Sequence, residues 1–456
     1  MRDFLWLSAR GLVLAFMVVL GAACGPATPL PTLTPTPTFT PTASDATPET
    51  PAPPPSATLP PPTAPPTPER DTLDEALDVL ESQVRMLRGL TDAPLVSRQR
   101  VTADVLRQRL AEQEARLGCP LPDTFAWQAL GLWPSDEGEI TAEVFADTPP
   151  PLAFFDLEDT VIYYTAEAIT PALELAYVRA YAQALLWQAH PLPRAENSDQ
   201  CLAQQALLQG TTTYMEYLWF FSYASPAAAT EAAAETPPQW PLAVQKYRDF
   251  PADAGFGFVF ALSQENGWES ITRAFAAPPT STEQIMYPAH YPADTPQDMT
   301  LPAAAVLTQA LGEGWEVRGQ DVLGDALLYL MLTANVNPEA RLMADDAANA
   351  TEGWGGGAWV LLHNPETGGT ALLADVTWDT GSDAVAFVKA FVRYARGRFG
   401  PLNDRAYRAL YWETDAQAAV LRYNSGLRRT VWAFAPTRAQ AEALLAAAQA
   451  PGTGGD

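Results

Sequence analysis

Residues 26–69 are proline, threonine and alanine with almost no large apolar side chain, as in Pro29-Leu30-Pro31-Thr32 and Pro35-Thr36-Pro37-Thr38. Such a stretch has nothing to bury, and proline removes backbone donors. It predicts an extended, solvated spacer. At ~3.1 Å per residue in polyproline II it reaches on the order of 100 Å. Whatever folds must lie beyond it, from about Asp71 to Ala450, a length that suits one large domain or two smaller ones.

The segment before the spacer reads as an export signal. Arg2 and Arg10 supply positive charge, and Gly11 to Ala23 form an apolar or small-residue run that ends at Cys24. A bilayer-spanning helix needs roughly 20 apolar residues, so a cleaved signal over residues 1–24 is expected. Val19-Leu20-Gly21-Ala22-Ala23-Cys24 resembles a lipobox, in which small residues precede a cysteine that is lipidated and becomes the mature N-terminus. Gly21 departs from that pattern, which usually carries leucine there. The alternatives are an uncleaved anchor using Phe4 to Ala23 and a freely secreted product. All three export the domain, and the first two hold it at the outer face of a bacterial membrane.

The formal net charge is −26, and no cluster of Lys and Arg interrupts it. Phosphate recognition needs such clusters, so nucleic acid is excluded as a partner. Anionic headgroups would also repel the domain, which gives the spacer, residues 25–70, a purpose. Besides Cys24 the cysteines are Cys119 and Cys201. In an oxidising envelope they could pair, or they could remain two buried thiols. No CxxC spacing suggests a metal or redox pair.

Within the folded part, Thr72 and Glu75 form a capping box, and Leu73, Leu77, Leu80, Val84 and Leu87 share one helical face that ends at Gly89. A second helix is expected over Thr102 to Leu117, with Val105, Leu106, Leu110 and Leu117 inward. The period then changes. Leu152 to Asp156 and Thr160 to Tyr164 flank a polar turn and read as a β-hairpin. Helices follow over Thr170 to Ala189 and Asp199 to Tyr223, and Pro226 to Pro238 reads as a loop. Beyond residue 300 a helix is expected around Asp321 to Asn335 and another from Ser382 to Arg396. Strands are expected near Ala358 to Leu362, Ala371 to Val376, Ala409 to Trp412, Ala418 to Tyr423 and Arg429 to Phe434, before a last helix capped by Thr437 and Gln440. The fold class is α+β, mainly helical over 71–300 with a small hairpin, then mixed α/β over 301–450 and packed on the first part.

Chemistry is sparse. The three histidines, His190, His290 and His363, are never four residues apart, so no helix presents two imidazoles on one face. His190 is expected to end a helix, where its charge suits the dipole, and His363 to end a strand. There is no G-x-S-x-G elbow and no S-x-x-K pair. Trp354-Gly355-Gly356-Gly357 lacks a following Lys-Ser or Lys-Thr, so a tight turn before a strand is expected rather than a phosphate cradle. Acidic pairs such as Glu158/Asp159 and Asp345/Asp346 are read as surface solvation. Tyr214, Tyr217 and Phe221 share a helix face by spacing and are expected mostly in the core.

Several short segments, taken in order, carry a resemblance. They are Val84-Arg85-Met86-Leu87-Arg88-Gly89-Leu90, Ala153-Phe154-Phe155-Asp156, Pro278-Pro279-Thr280-Ser281-Thr282-Glu283-Gln284, Gly353-Trp354-Gly355-Gly356 and Trp378-Asp379-Thr380. Over about residues 73 to 396 the chain resembles a family of bacterial envelope proteins with a zincin-like, HExxH-type metallopeptidase domain. The family pattern runs V-x-x-L-R-G-L, G-F-Y-D, H-E-x-T-H-A-L-Q-D-Q, E-G-D-A, P-P-x-S-T-E-Q, G-W-G-G-D and W-D-T.

The departures from that pattern matter most. Placing Gln183-Ala184-Leu185-Leu186-Trp187-Gln188 on H-A-L-Q-D-Q puts Arg179 on the first zinc ligand, Ala180 on the catalytic carboxylate and Gln183 on the second ligand. Gln209 falls on the third ligand, the glutamate of E-G-D-A. A zincin needs two imidazoles, a carboxylate to activate the metal-bound water and a further ligand. None is present at these positions, and no HExxH occurs anywhere in the chain. The resemblance therefore implies a degenerate member with no catalytic residue, metal or cofactor: a tethered pseudo-metallopeptidase that binds a peptide or protein partner. An envelope hydrolase with an acidic pair, or a purely structural envelope lipoprotein, are the alternatives.

Overall fold

The computed structural model describes residues 72–448 apart from 118, 120–122, 141–149, 228–229, 231–239 and 407. The signal, Cys24, the spacer and most of Pro226 to Pro238 lie outside the described residues. Among those described, no helix is long and apolar enough to cross a membrane.

The chain is α+β, with helices dominating its first part and a sheet its second. Helix α1 (Thr72–Arg88) buries Leu73, Leu77, Leu80 and Val84 along one stripe and stops at Gly89. Strand β1 (Ser97–Arg100) pairs parallel with β3 (Val161–Tyr164), which pairs antiparallel with β2 (Ala153–Asp156). Between them lie α2 (Ala103–Leu117) and α3 (Thr124–Leu130). On α2 Leu106 is fully buried, but Val105, expected inward, is exposed. The small sheet covers only part of this helix, so its inward stripe is narrow. Arg98 of β1 donates to Asp74, Asp78 and Glu81 of α1, and Tyr177 donates to Glu81 at 2.7 Å, which ties strand, first helix and fourth helix together.

Helices α4 (Pro171–Ala189), α5 (Ser198–Tyr223) and α6 (Leu242–Asn266) form the centre of the helical part. Thr170 and Asn197 cap the first two through their side chains. Helix α6 continues through Pro251. It packs so closely on α5 that a Cβ at Gly210 would meet Gly255 backbone at 2.1 Å, and one at Gly255 would meet the Ala206 carbonyl oxygen at 2.1 Å. Only glycines allow that approach. Cys119 and Cys201 are joined as a disulfide that fastens the segment after α2 to the first turn of α5.

Short helices α7 (Trp268–Ala276), α8 (Thr282–Met286) and α9 (Ala304–Leu311) lead to a seven-stranded antiparallel sheet of order β4-β5-β6-β10-β9-β8-β7. Its strands are β4 (Glu316–Val322), β5 (Trp354–Asn364), β6 (Gly369–Trp378), β7 (Asp404–Ala406), β8 (Ala409–Glu413), β9 (Ala418–Asn424) and β10 (Arg429–Ala435). Helix α12 (Gly381–Phe399) covers one face through Phe387 and Phe391, which lie against Trp432. Helices α9 and α13 (Arg438–Ala447) bury Leu307, Leu444 and Leu445 in a second core on the other face. Helices α10 (Asp325–Thr333) and α11 (Ala344–Thr351) fill the space towards the helical part. One apolar cluster runs from Leu73 to Phe434, so the parts before and after residue 300 share a core.

Two expected elements differ. The helix expected over Asp321 to Asn335 begins only at Asp325, because Glu316–Val322 alternates outward and half-buried side chains as edge strand β4. The glycine run after Trp354 is not a turn before a strand but the start of β5 itself, with a register shift between Trp354 and Gly356.

Candidate functional site

The sequence-indicated positions on α4 and α5 come first. Arg179 donates through Nε and Nη2 to the two carboxylate oxygens of Glu216, at 2.9 and 2.8 Å. Glu216 stands seven residues beyond Gln209 on α5, about two helical turns. Ala180 is buried, whereas Gln183 and Gln209 are half-buried. Arg179 is therefore a fixed cation held by a bidentate carboxylate of the neighbouring helix. Trp187, one turn beyond Gln183, packs half-buried against the main core.

The aromatic residues on the same α5 segment are not mostly core. Met215 and Trp219 point inward, and Trp219 donates to Gln83 of α1 at 2.8 Å. Tyr214 and Tyr217 are half-buried, and Phe221 is exposed. They form a surface group with Phe256 and Phe260 of α6. The helical period fits either face; α6 covers Tyr214 and Tyr217 only in part and leaves Phe221 uncovered.

His190 does end α4, but burial and the Arg88 guanidinium lower its pKa, which disfavours the charge expected of it. Arg88, the arginine of the L-R-G-L segment, is itself buried, lies over the Trp268 ring and donates to Thr272. His363 lies at the end of β5 against Phe125.

A second group of residues was not legible in the sequence. The segments Pro278 to Gln284, Gly353 to Gly356 and Trp378 to Thr380 meet in one place. Ser281 caps α8 and turns Glu283 inward, where it is buried and accepts the Gly353 amide at 3.2 Å. A turn then carries the chain from Tyr287 to His290 and on to Asp294 through amide-to-carbonyl bonds of 2.9 Å each. Gln284 fixes that turn, accepting the Thr280 amide and donating to the Asp294 carbonyl oxygen. The Gln297 amide donates to Gly355 and the Asp379 amide to Gly353, so the start of β5 is clamped between the two segments. At Gly356, φ is +146° and a Cβ would lie 2.5 Å from the Gln297 carbonyl oxygen, so no larger residue fits the clamp.

As a result Glu283, His290, Asp294 and Asp379 each present one donor atom within 4.8 Å of all the others. His290 Nδ1 lies 3.4 Å from one oxygen of Glu283 and 3.4 Å from one of Asp294. It is buried and makes no hydrogen bond. Burial, then the neighbouring Asp325, Asp294 and Asp379 carboxylates, push the Glu283 carboxyl up to about 10, with the Gly353 amide opposing. Asp379 is raised by burial and by Asp294, with His290 pulling it down.

Deeper lies a second set of acids. Asp199, in the first turn of α5, accepts the Thr282 amide at 3.0 Å and the Thr282 hydroxyl, and Thr282 Oγ1 in turn accepts the Ala326 amide at 2.9 Å. Burial pushes Asp199 up to about 6. Asp325, in the first turn of α10, is fully buried and neither of its oxygens accepts a hydrogen bond of good geometry, Thr351 being its polar neighbour. Burial raises it well above the usual carboxylate range.

Residues 312–445, from just before β4 to within α13, match DUF8575, a domain of unknown function. That stretch includes Asp379 and excludes Glu283, His290 and Asp294. No curated protein and no solved structure matches the chain.

Proposed function

We propose that this is an exported, membrane-tethered protein that binds a peptide or protein partner and does not cut it, built on a zincin-like frame that has lost its chemistry. The observation that carries the reading is the Arg179–Glu216 pair where a zincin would hold its first imidazole. A guanidinium keeps its charge at any physiological pH and opposes a cation. The buried methyl of Ala180 offers no base. The half-buried Tyr217 follows Glu216 on α5, and with the exposed Phe221 and Phe260 it belongs to an aromatic group of the kind that anchors protein partners. The Cys119–Cys201 disulfide accords with an oxidising compartment outside the membrane, and the spacer would set the domain away from it.

The acid-pair hydrolase has one observation in its favour, the convergence of Glu283, Asp294 and Asp379. Against it stands the burial of Glu283, 3 % exposed under the Gly353 amide, where no polymer strand reaches.

The test is a peptide-array screen with the full chain, scored for both retention and cleavage. Retained peptides should be recovered intact by mass spectrometry, with or without added zinc. Phe221→Ser combined with Phe260→Ser should weaken retention on the order of tenfold or more, the loss of two anchors. Zinc-dependent cleavage by the purified chain would overturn the reading.

A further inference from the structure

We propose that Glu283, His290, Asp294 and Asp379 form a binding site for one divalent transition-metal cation, of the class of Mn2+ or Zn2+, distinct from the degenerate zincin position. This is independent of the partner-binding reading.

The geometry is that of a ligand set. Around an ion with bonds of roughly 2.0–2.1 Å, tetrahedral ligand atoms stand about 3.4 Å apart. His290 Nδ1 stands 3.4 Å from both Glu283 and Asp294, and Asp379 completes the group within 4.8 Å. Small side-chain shifts would bring all four onto one ion. Two further observations point to a ligand beyond the closeness of the acids. His290 Nδ1 is a buried nitrogen without a hydrogen bond, facing two carboxylate oxygens. Polar atoms so placed ordinarily find a partner. The fully buried Asp325 is likewise without a hydrogen bond of good geometry among the described residues.

The positions are held from separate parts of the chain by backbone bonds, the Gly353 amide on Glu283 and the Gly353 carbonyl oxygen on the Asp379 amide. That is the preorganisation a metal site needs. Glu283 closes the inner side, while His290, Asp294 and Asp379 are half-buried and leave an outer side for water ligands. Three carboxylates suit Mg2+, Ca2+ and Mn2+, whereas an imidazole suits Zn2+, Mn2+ and their neighbours better than Ca2+ or Mg2+. The mixed set favours the transition-metal class. From Asp199, which touches Thr282 beside Glu283, to Gln209 is ten residues of α5, roughly 15 Å. The site is therefore not the zincin position under another name.

The experiment uses the tag-free full chain in detergent, stripped with EDTA and reloaded with Mn2+, Zn2+, Ca2+ or Mg2+. Metal content is read by mass spectrometry and stability by thermal melting. One Mn2+ or Zn2+ per chain and a melting temperature raised by several degrees are expected, with Ca2+ at least tenfold weaker. Asp379→Asn and His290→Ala should each weaken binding on the order of a hundredfold or more, with circular dichroism and metal-free melting showing that they fold. Gln183→Ala with Gln209→Ala should bind as the parent does. The proposal is overturned if folded Asp379→Asn and His290→Ala retain the metal, if the chain takes up no stoichiometric ion, or if Ca2+ binds best.

Discussion

The α4–α5 surface and the α8–β5–β6 junction carry charge in opposite ways. On the surface, one guanidinium meets one carboxylate in a bidentate pair, and Arg179 is about half exposed at 48 %. At the junction, Glu283, Asp294, Asp325 and Asp379 crowd together with only His290 among them, and Glu283 and Asp325 are buried. A region that has balanced its charge internally has no electrostatic need of a ligand. A region whose backbone holds several carboxyls together keeps protons on its buried members, and an outside cation competes for the place of those protons. Pro278 to Gln284, Gly353 to Gly356 and Trp378 to Thr380, three of the segments that carry the resemblance, are the ones that build the second region.

The comparison breaks most sharply at Thr282. Its amide and hydroxyl satisfy Asp199, and its Oγ1 also takes the Ala326 amide, all in the buried interior. Thr282→Val keeps the shape and removes the hydroxyl from both partners, leaving a buried carboxylate and a buried amide short of hydrogen bonds. A loss of about 3 kcal/mol is expected, read from urea midpoints at unchanged slope. A loss below about 1 kcal/mol would mean the acids are not held by this bond network.

The pH dependence of the metal-free protein sharpens the contrast next. Asp199 and Glu283 have folded-state pKa values raised to about 6 and about 10. The unfolded chain gives up these protons near the ordinary carboxylate values, while the folded chain keeps them. Stability must therefore fall as pH rises from about 4, through about 6 for Asp199 and on towards about 10 for Glu283. Urea midpoints in EDTA should drop from pH 5 to 7 and again from 7 to 9. Glu283→Gln should flatten the second drop and reduce the first to the part between pH 5 and about 6 that belongs to Asp199. A midpoint that rises with pH over this range would contradict the assignment of the buried acids.

How much of this was legible in the sequence depended on how local the cause was. The hairpin of Ala153–Asp156 with Val161–Tyr164 and strands β8, β9 and β10 follow from short apolar runs broken by polar turns, and they stand where expected. Strand β4 was hidden because an edge strand with Glu316, Arg318 and Gln320 on its outer side lacks an apolar face to read. The glycine run misled for a different reason. Its residues are small because Gln297 and the Leu323 carbonyl oxygen pass against them, and both are remote in sequence. Glu283 and Asp379 are likewise brought together only by the clamp on β5. The available signal was the spacing from His290 to Asp294 beside the P-P-T-S-T-E-Q segment, which says nothing about a carboxylate arriving from β6.

The smallest effect is expected where the zincin comparison drew attention first. Arg179→Met removes the guanidinium from a half-exposed pair whose partner, Glu216, is 15 % exposed and keeps access to water. Pairs of this kind contribute between nothing and about 1 kcal/mol, because solvent screens them and ordering two long side chains costs entropy. Metal uptake at the acidic junction should not change, since Glu216 is not among its ligands. Melting curves and metal titrations on the same preparation read both at once. A loss of metal binding in Arg179→Met would mean that the two regions are coupled through α5, whose first turn carries Asp199 and whose later turns carry Glu216. The balanced surface would then be part of the cation site's support, not a remnant beside it.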